Sequence, residues 1–384
     1  EGLRGISVLV VVLFHLEISL FSGGFVGVDV FFVISGYLLT SLFFKEIERE
    51  KFVNVFAFFS RRVRRLLPAS VLTVFGTVLI GWLFLSPFAL EELIKDAFAA
   101  STYSMNFRLV HQATDYLGSQ SSPSIFQHYW SLAVEEQFYL IWPFVFAGLA
   151  KFKISREQIG ILMGILITIS FGFSVIQTEQ NEIWAFFMLP TRAWEMALGA
   201  LIACYKDQIL LLNEKLIEIL SFIGLASILI PCVLYDDFTL YPSWRAAFPV
   251  IGTALIISCA GSTISKILSF KVFTSIGKYS YGWYLWHWPL ICLAKRYYYQ
   301  QNDLLVSSIA SVVAFFMAVI SYKVIEKPIR ELKVFSTRPQ KGVVLGIFLT
   351  GLSVLVLLVA FYTRPISTIQ LSSSQNETSI PEVS

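Results

Sequence analysis

Residues 25–44, FVGVDVFFVISGYLLTSLFF, form an apolar stretch with a single charged side chain, that of Asp29. A helix needs roughly 20 predominantly apolar residues to cross a bilayer. The stretch therefore predicts a membrane-spanning helix that carries one carboxyl group among apolar neighbours.

The composition of the whole chain agrees with that prediction. Of its 384 residues, 56% are hydrophobic and 14% are charged, and the mean hydropathy is +0.70. Soluble domains are about 25% charged, so this chain lacks the polar surface that a soluble, disordered or fibrous protein has. A net charge of +3 also argues against a nucleic-acid partner, which usually requires a concentrated basic surface.

Ten apolar stretches follow one another along the chain, and an eleventh comes after a basic linker. They cover 5–22, 25–44, 66–86, 132–150, 158–177, 184–204, 216–235, 244–261, 279–294, 304–325 and 342–363. These stretches predict an all-α polytopic membrane protein with about ten transmembrane helices and an eleventh C-terminal one. The segment 91–107 is short and charged, and is predicted to form an external amphipathic helix.

The basic residues predict the orientation of the helices. With the start of the chain on the cytoplasmic side, 22 of the 29 Lys and Arg residues fall in inner segments and 5 in outer ones. This bias is the positive-inside pattern, so we expect the N-terminus inside and the polar tail after Arg364 outside. The four cysteines are far apart and form no cluster with histidine, so neither a disulfide framework nor a metal site is predicted.

Two ionisable residues lie where lipid is expected, and such residues are functional candidates by default. His15 is placed near the midpoint of the first predicted helix, and an imidazole can accept a proton or attack an acyl group near neutral pH. We favour this over a buried structural histidine. Asp29 needs a partner at membrane depth. That partner could be His15, whose ring Asp29 would orient, or an arginine in a structural pair.

The fourth predicted helix begins with a second set of candidates. Glu135 follows His128 by seven residues, about two turns, which predicts that the two side chains stack on one side of the helix. Adjacent carboxylates such as Glu135 and Glu136 point in different directions, so at most one is expected to face a given partner.

Two further sites of buried charge lie near the C-terminal half of the chain. Arg192 and Glu195 are three residues apart on a helix and predict an internal salt bridge, which is more consistent with a structural role than a catalytic one. His287 lies among aromatic residues just before Pro289. Interfacial aromatic belts explain those aromatics without chemistry, and the role of His287 stays open.

The four arginines Arg61, Arg62, Arg64 and Arg65 stand together before the third predicted helix. On a helix, 61 and 64 form one pair on a shared face, and 62 and 65 form another. Membrane anchoring alone favours arginines here. Four in five residues is denser than anchoring requires, and planar guanidinium groups bind phosphate oxygens in pairs. We therefore favour a ligand that carries phosphate.

Six motifs occur in a fixed order along the chain. They are EGLRG (1–5) leading to His15, GFVGVDVFFVISG (24–36), RVRR (62–65) before LLP, HYWSLAVEEQFY (128–139), RAWE (192–195) and YLWHWP (284–289). In this order they resemble the membrane-bound acyltransferase 3 family, bacterial enzymes that O-acylate extracytoplasmic glycans, over about residues 1–335.

The resemblance implies a buried site within about ten helices in the bacterial cytoplasmic membrane. It implies acetyl-CoA as the donor and a sugar hydroxyl outside as the acceptor, on O-antigen, peptidoglycan or another polysaccharide. His15 is then the leading catalytic residue, and Arg62 and Arg65 contact the CoA phosphates. As our own hypothesis beside this resemblance, Asp29 orients the His15 ring or stabilises its charged form, and Glu135 and His287 take part less directly.

The end of the chain resembles the subset of this family that is fused to an extracytoplasmic SGNH domain. The resemblance predicts an acyltransferase domain at 1–335, a linker and eleventh helix at 336–363, and a tail at 364–384 leading to that domain. The GDS and DxxH motifs of an SGNH domain do not occur here. We expect the chain to be the membrane part of a longer protein, in which a short cytoplasmic leader also precedes Glu1.

Other functions fit the composition equally well. A transporter or flippase for an acidic or lipid-linked solute also buries charges among many helices, although the halves of this chain show no repeat symmetry. Transfer of a longer acyl group, or transfer to a small metabolite, is a further alternative.

Overall fold

The structure, a computed structural model, describes residues 1–114, 123–209, 213–298 and 302–364, and the regular elements of these residues are all helical. The α-helices are α1 (Gly2–His15), α2 (Gly27–Glu50), α3 (Val55–Phe84), α4 (Pro87–Ser101), α5 (Met105–Thr114), α6 (Tyr129–Lys151), α7 (Arg156–Gln180), α8 (Glu182–Phe187), α9 (Leu189–Cys204), α10 (Lys206–Ile209), α11 (Glu214–Leu234), α12 (Ala247–Ser258), α13 (Thr263–Leu268), α14 (Lys271–Tyr297), α15 (Asp303–Ser321), α16 (Lys327–Glu331), α17 (Val334–Thr337) and α18 (Pro339–Thr363).

Seven helices of this part of the chain are long and apolar enough to cross a membrane, namely α2, α3, α6, α7, α11, α15 and α18. The shorter apolar helices α1 and α12, together with α9 and α14, account for the rest of the eleven predicted stretches. The prediction of an all-α, multi-pass membrane protein is confirmed.

Glycines bring α2 and α9 into backbone contact. A Cβ atom on Gly36 would collide with the carbonyl group of Met196, and one on Gly199 with that of Val33. Small residues allow such close approach between helices in a membrane. The contact fixes the side chains that face each other across these two helices.

The helices α1 and α14 run side by side in the same direction. Gly5 packs against the backbone of Phe273 near their beginnings, and His15 meets His287 further along. The pairing of α1 with α14 therefore decides what surrounds the His15 ring.

Two helix ends differ from the prediction in ways that affect the candidate site. The first helix ends at His15, and Glu17 has a left-handed backbone with a φ of 57°. His15 is therefore the last residue of α1 and does not lie at the middle of a helix. The third helix begins at Val55, where the Asn54 side chain accepts a hydrogen bond from the Ala57 N–H. The four arginines thus lie inside α3 and not before it.

Two predicted segments are each divided in two. The stretch 184–204 forms α8 and α9, because Met188 is extended between them and Pro190 starts the second helix. The segment 91–107 falls within α4 and α5, which are separated at Tyr103, a residue with a φ of 51°. Of the predicted tail 364–384, only Arg364 belongs to the described residues, so its extracytoplasmic position stays a prediction.

Candidate active site

The rings of His15 and His287 form a hydrogen bond. Nδ1 of His15 lies 2.9 Å from Nε2 of His287. The indole ring of Trp288 packs against His15 with a centroid distance of 4.4 Å. This pair joins the end of α1 to the middle of α14.

The surroundings of His287 determine the proton positions in the pair. Its Nδ1 faces the backbone carbonyls of Tyr284 at 2.7 Å and Trp283 at 3.2 Å. A carbonyl only accepts, so this nitrogen carries the proton of a neutral ring, and Nε2 of His287 is left as an acceptor. His15 must then donate from Nδ1, which leaves a lone pair on its Nε2. His15 is thereby prepared to act as a base or nucleophile through Nε2.

His128 completes a cluster of three of the four histidines in the chain. Its ring is buried, with Nε2 3.0 Å from the carbonyl oxygen of Leu285 and the ring centroid 5.6 Å from that of His287. The hydroxyl of Tyr284 donates to the His128 carbonyl at 2.9 Å and lies 2.7 Å from the Ser131 hydroxyl. His128 therefore packs behind the catalytic candidates.

A cavity of about 450 Å³ lies elsewhere on the protein, but His15 lines a different one of about 220 Å³. Its walls are mainly aromatic, and its rim carries Glu182, Asp236 and Asp237, all of which are exposed. The lining residues are Val11, Phe14, His15, Phe25, Val28, Gln127, His128, Trp130, Glu182, Phe186, Asp236, Asp237, Thr239, Tyr241 and Tyr284. The His15 cavity thus leads to the loop between α11 and α12, and no arginine of the described residues lines it.

Arg62 is held by two carboxylates and a tyrosine. Its Nε lies 3.3 Å from Glu136, and its Nη2 lies 3.9 Å from Glu135. The centre of the guanidinium lies 3.1 Å from the centroid of the Tyr139 ring. The expectation that only one of the adjacent glutamates would face a given partner is wrong, because the guanidinium lies across α6 and reaches both.

The four arginines of α3 have different surroundings. Arg61 pairs with Glu46 at 3.3 Å, and Arg64 is buried and donates to the carbonyl of Arg330 at 2.9 Å. Within the described residues, Arg65 is exposed and has no hydrogen bond or ion pair. Arg65 is therefore the arginine of this group that is best placed to receive an anion.

Glu135 was predicted to lie on the same side of the helix as His128, and the two side chains do not contact each other. Glu135 accepts hydrogen bonds from the hydroxyls of Ser35 and Tyr139, next to Arg62. Seven residues of helix rise separate Glu135 from His128 by about 10 Å along α6, which is too far for their side chains to meet although they share a face. The helix α6 thus runs between two separate groups of residues. We call the first the histidine layer, formed by His15, His128 and His287. We call the second the arginine layer, formed by Arg4, Arg62, Arg65, Glu135, Glu136 and Tyr139.

Asp29 pairs with an arginine and not with His15. Its Oδ1 lies 2.8 Å from Nη2 of Arg192, whose Nε lies 3.1 Å from Glu195. The side chains of Asp29, Arg192 and Glu195 are at most 1% exposed, and Tyr241 and Trp130 line both this group and the His15 cavity. The predicted salt bridge of Arg192 with Glu195 is confirmed, and the predicted orientation of His15 by Asp29 is wrong.

Two residues of the arginine layer were not predicted. Tyr139 follows Glu135 by four residues, and this helical spacing was the available signal. Arg4 interacts electrostatically with Arg65, Glu135 and Tyr139. Its position eleven residues before His15 on α1 places the two at opposite layers, about 16 Å apart along the helix.

The geometry can now be compared with known proteins. The family described as an acyltransferase domain matches residues 1–323, which include both layers. The chain belongs to this family. The resemblance to acyltransferase 3 proteins is thereby confirmed, and acyl transfer is favoured over transport.

This acyltransferase is similar to several bacterial proteins. It is 36% identical over 376 residues to the O-acetyltransferase OatA of Staphylococcus aureus, covering 94% of this chain and 61% of that protein. It is 33% identical over 348 residues to the peptidoglycan O-acetyltransferase OatA of Listeria monocytogenes, covering 86% and 55%. It is 33% identical over 350 residues to the putative peptidoglycan O-acetyltransferase YrhL of Bacillus subtilis, covering 86% and 54%.

The acyltransferase thus spans about 61% or less of the length of these relatives. No solved structure matches it.

Proposed function

We propose that this acyltransferase transfers an acetyl group from cytoplasmic acetyl-CoA to a hydroxyl group of peptidoglycan on the other side of the bacterial cytoplasmic membrane. The observation that carries the proposal is the His15–His287 pair on the wall of an open cavity, from whose contacts we infer that Nε2 of His15 is unprotonated. The names of the relatives support the acetyl group and the glycan acceptor.

The two layers have complementary tasks in this proposal. The arginine layer faces the cytoplasm and holds the phosphates of CoA, chiefly through Arg65. The histidine layer lies about 10 Å further along α6, a separation that an extended pantetheine arm can cross. The basic segments support an N-terminus inside and a C-terminal tail outside.

The chemistry at His15 follows from its proton arrangement. As a general base, Nε2 takes the proton of the acceptor hydroxyl while the oxygen attacks the thioester carbonyl. The C–S bond breaks, and the proton passes from Nε2 to the thiolate to give CoA with a free thiol. Alternatively, Nε2 itself attacks the thioester carbonyl, the C–S bond breaks and the CoA thiolate leaves. The acceptor oxygen then attacks the acetyl group on Nε2, the C–N bond breaks, and the hydroxyl proton passes to the thiolate. His287 is a positioning residue in both routes because it keeps the proton of His15 on Nδ1.

The route by which the donor thioester reaches His15 is also part of the proposal. The cavity beside His15 leads to the loops between helices and not to the arginines, so the thioester must enter between the packed side chains of α1, α6 and α14. We also propose that residues 1–335 form the acyltransferase domain. An SGNH domain after the tail stays a prediction.

A labelling experiment tests the proposed function. Membranes that contain the protein receive acetyl-CoA labelled in the acetyl group, together with peptidoglycan. We expect alkali-labile label on the glycan, and none with membranes that contain the His15→Ala variant. Label on another product would overturn peptidoglycan as the acceptor, and a lack of transferred label would overturn acetyl-CoA as the donor.

Replacing Arg65 by glutamine is expected to weaken donor binding. A lost charge-assisted hydrogen bond is worth about 1.5–3 kcal/mol, which corresponds to a KM for acetyl-CoA roughly 10 to 100 times higher. The kcat should change little because Arg65 lies in the arginine layer, away from His15. The Arg61→Gln variant is the matched control, since Arg61 already pairs with Glu46. Equal KM values for the two variants would contradict phosphate binding by Arg65.

A further inference from the structure

The last helix, α18, lies against the arginine-bearing helix α3. A Cβ atom on Gly342 would lie 2.7 Å from Cβ of Ser60, and one on Gly346 would lie 2.7 Å from Cγ2 of Val63. Carbon atoms do not approach so closely, so only glycine permits this contact. Ser60 and Val63 are neighbours of the arginines in the chain, and α18 therefore touches α3 at the turns that carry them.

The contact continues along one face of α18. Its buried residues are Gly342, Gly346, Ser353 and Leu357, and their spacing of four, seven and four residues is that of one helical face. Beyond the end of the helix, Arg364 pairs with Glu91 of α4 at 2.6 Å. The helix is thus fastened at both ends, although most of its surface is exposed apolar side chains.

The segment before α18 also contacts the arginine turns. The Ser60 hydroxyl donates to the carbonyl of Phe335 at 3.5 Å. The Phe335 ring lies 5.6 Å from the guanidinium of Arg64, which also donates to the carbonyl of Arg330. Arg330, Phe335 and α18 all follow the region that matches the acyltransferase family, which ends at residue 323.

We propose that α18 positions the donor site and does not serve only to anchor the end of the chain in the membrane. Gly342 and Gly346 let it pack closely enough to hold the turns at 60–65 in place, which sets where Arg62 and Arg65 stand. The proposal rests on the proposed use of acetyl-CoA. A helix that only anchors the chain needs enough apolar residues to cross the membrane. This helix also has two glycines at its contact with the arginine-bearing turns of α3.

Enlarging Gly346 tests the proposal. In the Gly346→Val variant the new side chain must displace Val63, and we expect the KM for acetyl-CoA to rise roughly tenfold through misplacement of the arginines. The kcat should stay within about twofold, because His15 is remote from this contact. Gly351→Val is the matched control, since a Cβ atom at Gly351 meets nothing within 4 Å.

A compensating substitution separates positioning from general damage. Adding Val63→Ala to Gly346→Val makes room for the new side chain and should restore the parental KM. If the valine variant does not accumulate, the same measurements on Gly346→Ala, alone and with Val63→Ala, decide the question. A KM equal to that of the Gly351→Val control, or a raised KM that Val63→Ala does not lower, would overturn the inference while leaving the proposed function intact. A parent protein without acetyl-CoA-dependent transfer would instead contradict the proposed function.

Discussion

Replacing His15 by alanine is expected to lower acetyl transfer by a factor of about 10³ or more, with the protein still present in the membrane at the parental level. The proton arrangement leaves Nε2 of His15 as the free base of the histidine pair. His287 keeps a lone pair on Nε2 in this variant, but its ring is fully buried and does not line the cavity, so we expect it not to replace His15. Initial rates with labelled acetyl-CoA and the amount of folded protein in detergent provide the measurement.

A change at His287 separates the two histidines. The amide oxygen in His287→Gln can still accept a hydrogen bond from the Nδ1–H group of His15, so this variant should retain more activity than His15→Ala. His287→Phe fills similar space but accepts no hydrogen bond, and it should lose more activity than the glutamine variant. Substantial activity in His15→Ala would reject its catalytic role. Equal activity in the two His287 variants would reject the positioning role of His287.

The fold class was predictable because the membrane requires long apolar helices, and length and composition are visible in sequence. The helix ends were less predictable. The first apolar stretch continues past His15 with Leu16, Ile18, Leu20 and Phe21 and is interrupted by Glu17, where the backbone turns. Hydropathy carries no information about a left-handed residue, and so His15 was placed at mid-helix when it lies at a helix end.

The sequence identified the charged residues of the site individually, but it predicted only the local pairing of Arg192 with Glu195. Burial of charge in an apolar segment marked Asp29 and Arg192 individually, and the local spacing of Arg192 and Glu195 gave their salt bridge. The partner of Asp29 depends on which helix packs against α2. Glycine contacts between α2 and α9 bring Arg192 to Asp29, and this tertiary pairing leaves no periodic signal in one sequence.

The same reasoning explains the arginine layer. Four adjacent arginines suggested one shared ligand, but side chains on a helix point in different directions and meet different helices. Arg64 contacts the segment that leads to α18 and Arg62 contacts α6, whereas Arg65 is exposed. The sequence could suggest a phosphate site at these arginines, which stays a prediction, but only the packing distinguishes Arg65 from the other three.

Replacing Arg192 by leucine is expected to reduce the stability of the folded protein severely. The change leaves Asp29 and Glu195 close together, buried and without a cation, and breaking a buried pair in this way costs about 3–5 kcal/mol. Thermal unfolding in detergent and the yield of monodisperse protein provide the measurement. Arg61→Leu is the matched control, because its exposed pair with Glu46 is worth only about 0–1 kcal/mol.

The Asp29→Asn variant then decides whether this group is structural or catalytic. Asparagine keeps an oxygen that can accept from Arg192, so the packing between α2 and α9 should survive, and acetyl transfer should remain within about tenfold of the parent. A loss as large as that of His15→Ala in well-folded protein would mean that Asp29 acts on the reacting groups, against the geometry. Equal stability of Arg192→Leu and Arg61→Leu would show that the buried group does not hold α2 and α9 together. The stability and activity results are independent, because the buried charges of Asp29, Arg192 and Glu195 lie on α2 and α9, whereas the lone pair of His15 is on α1 and, of these four residues, only His15 lines the cavity.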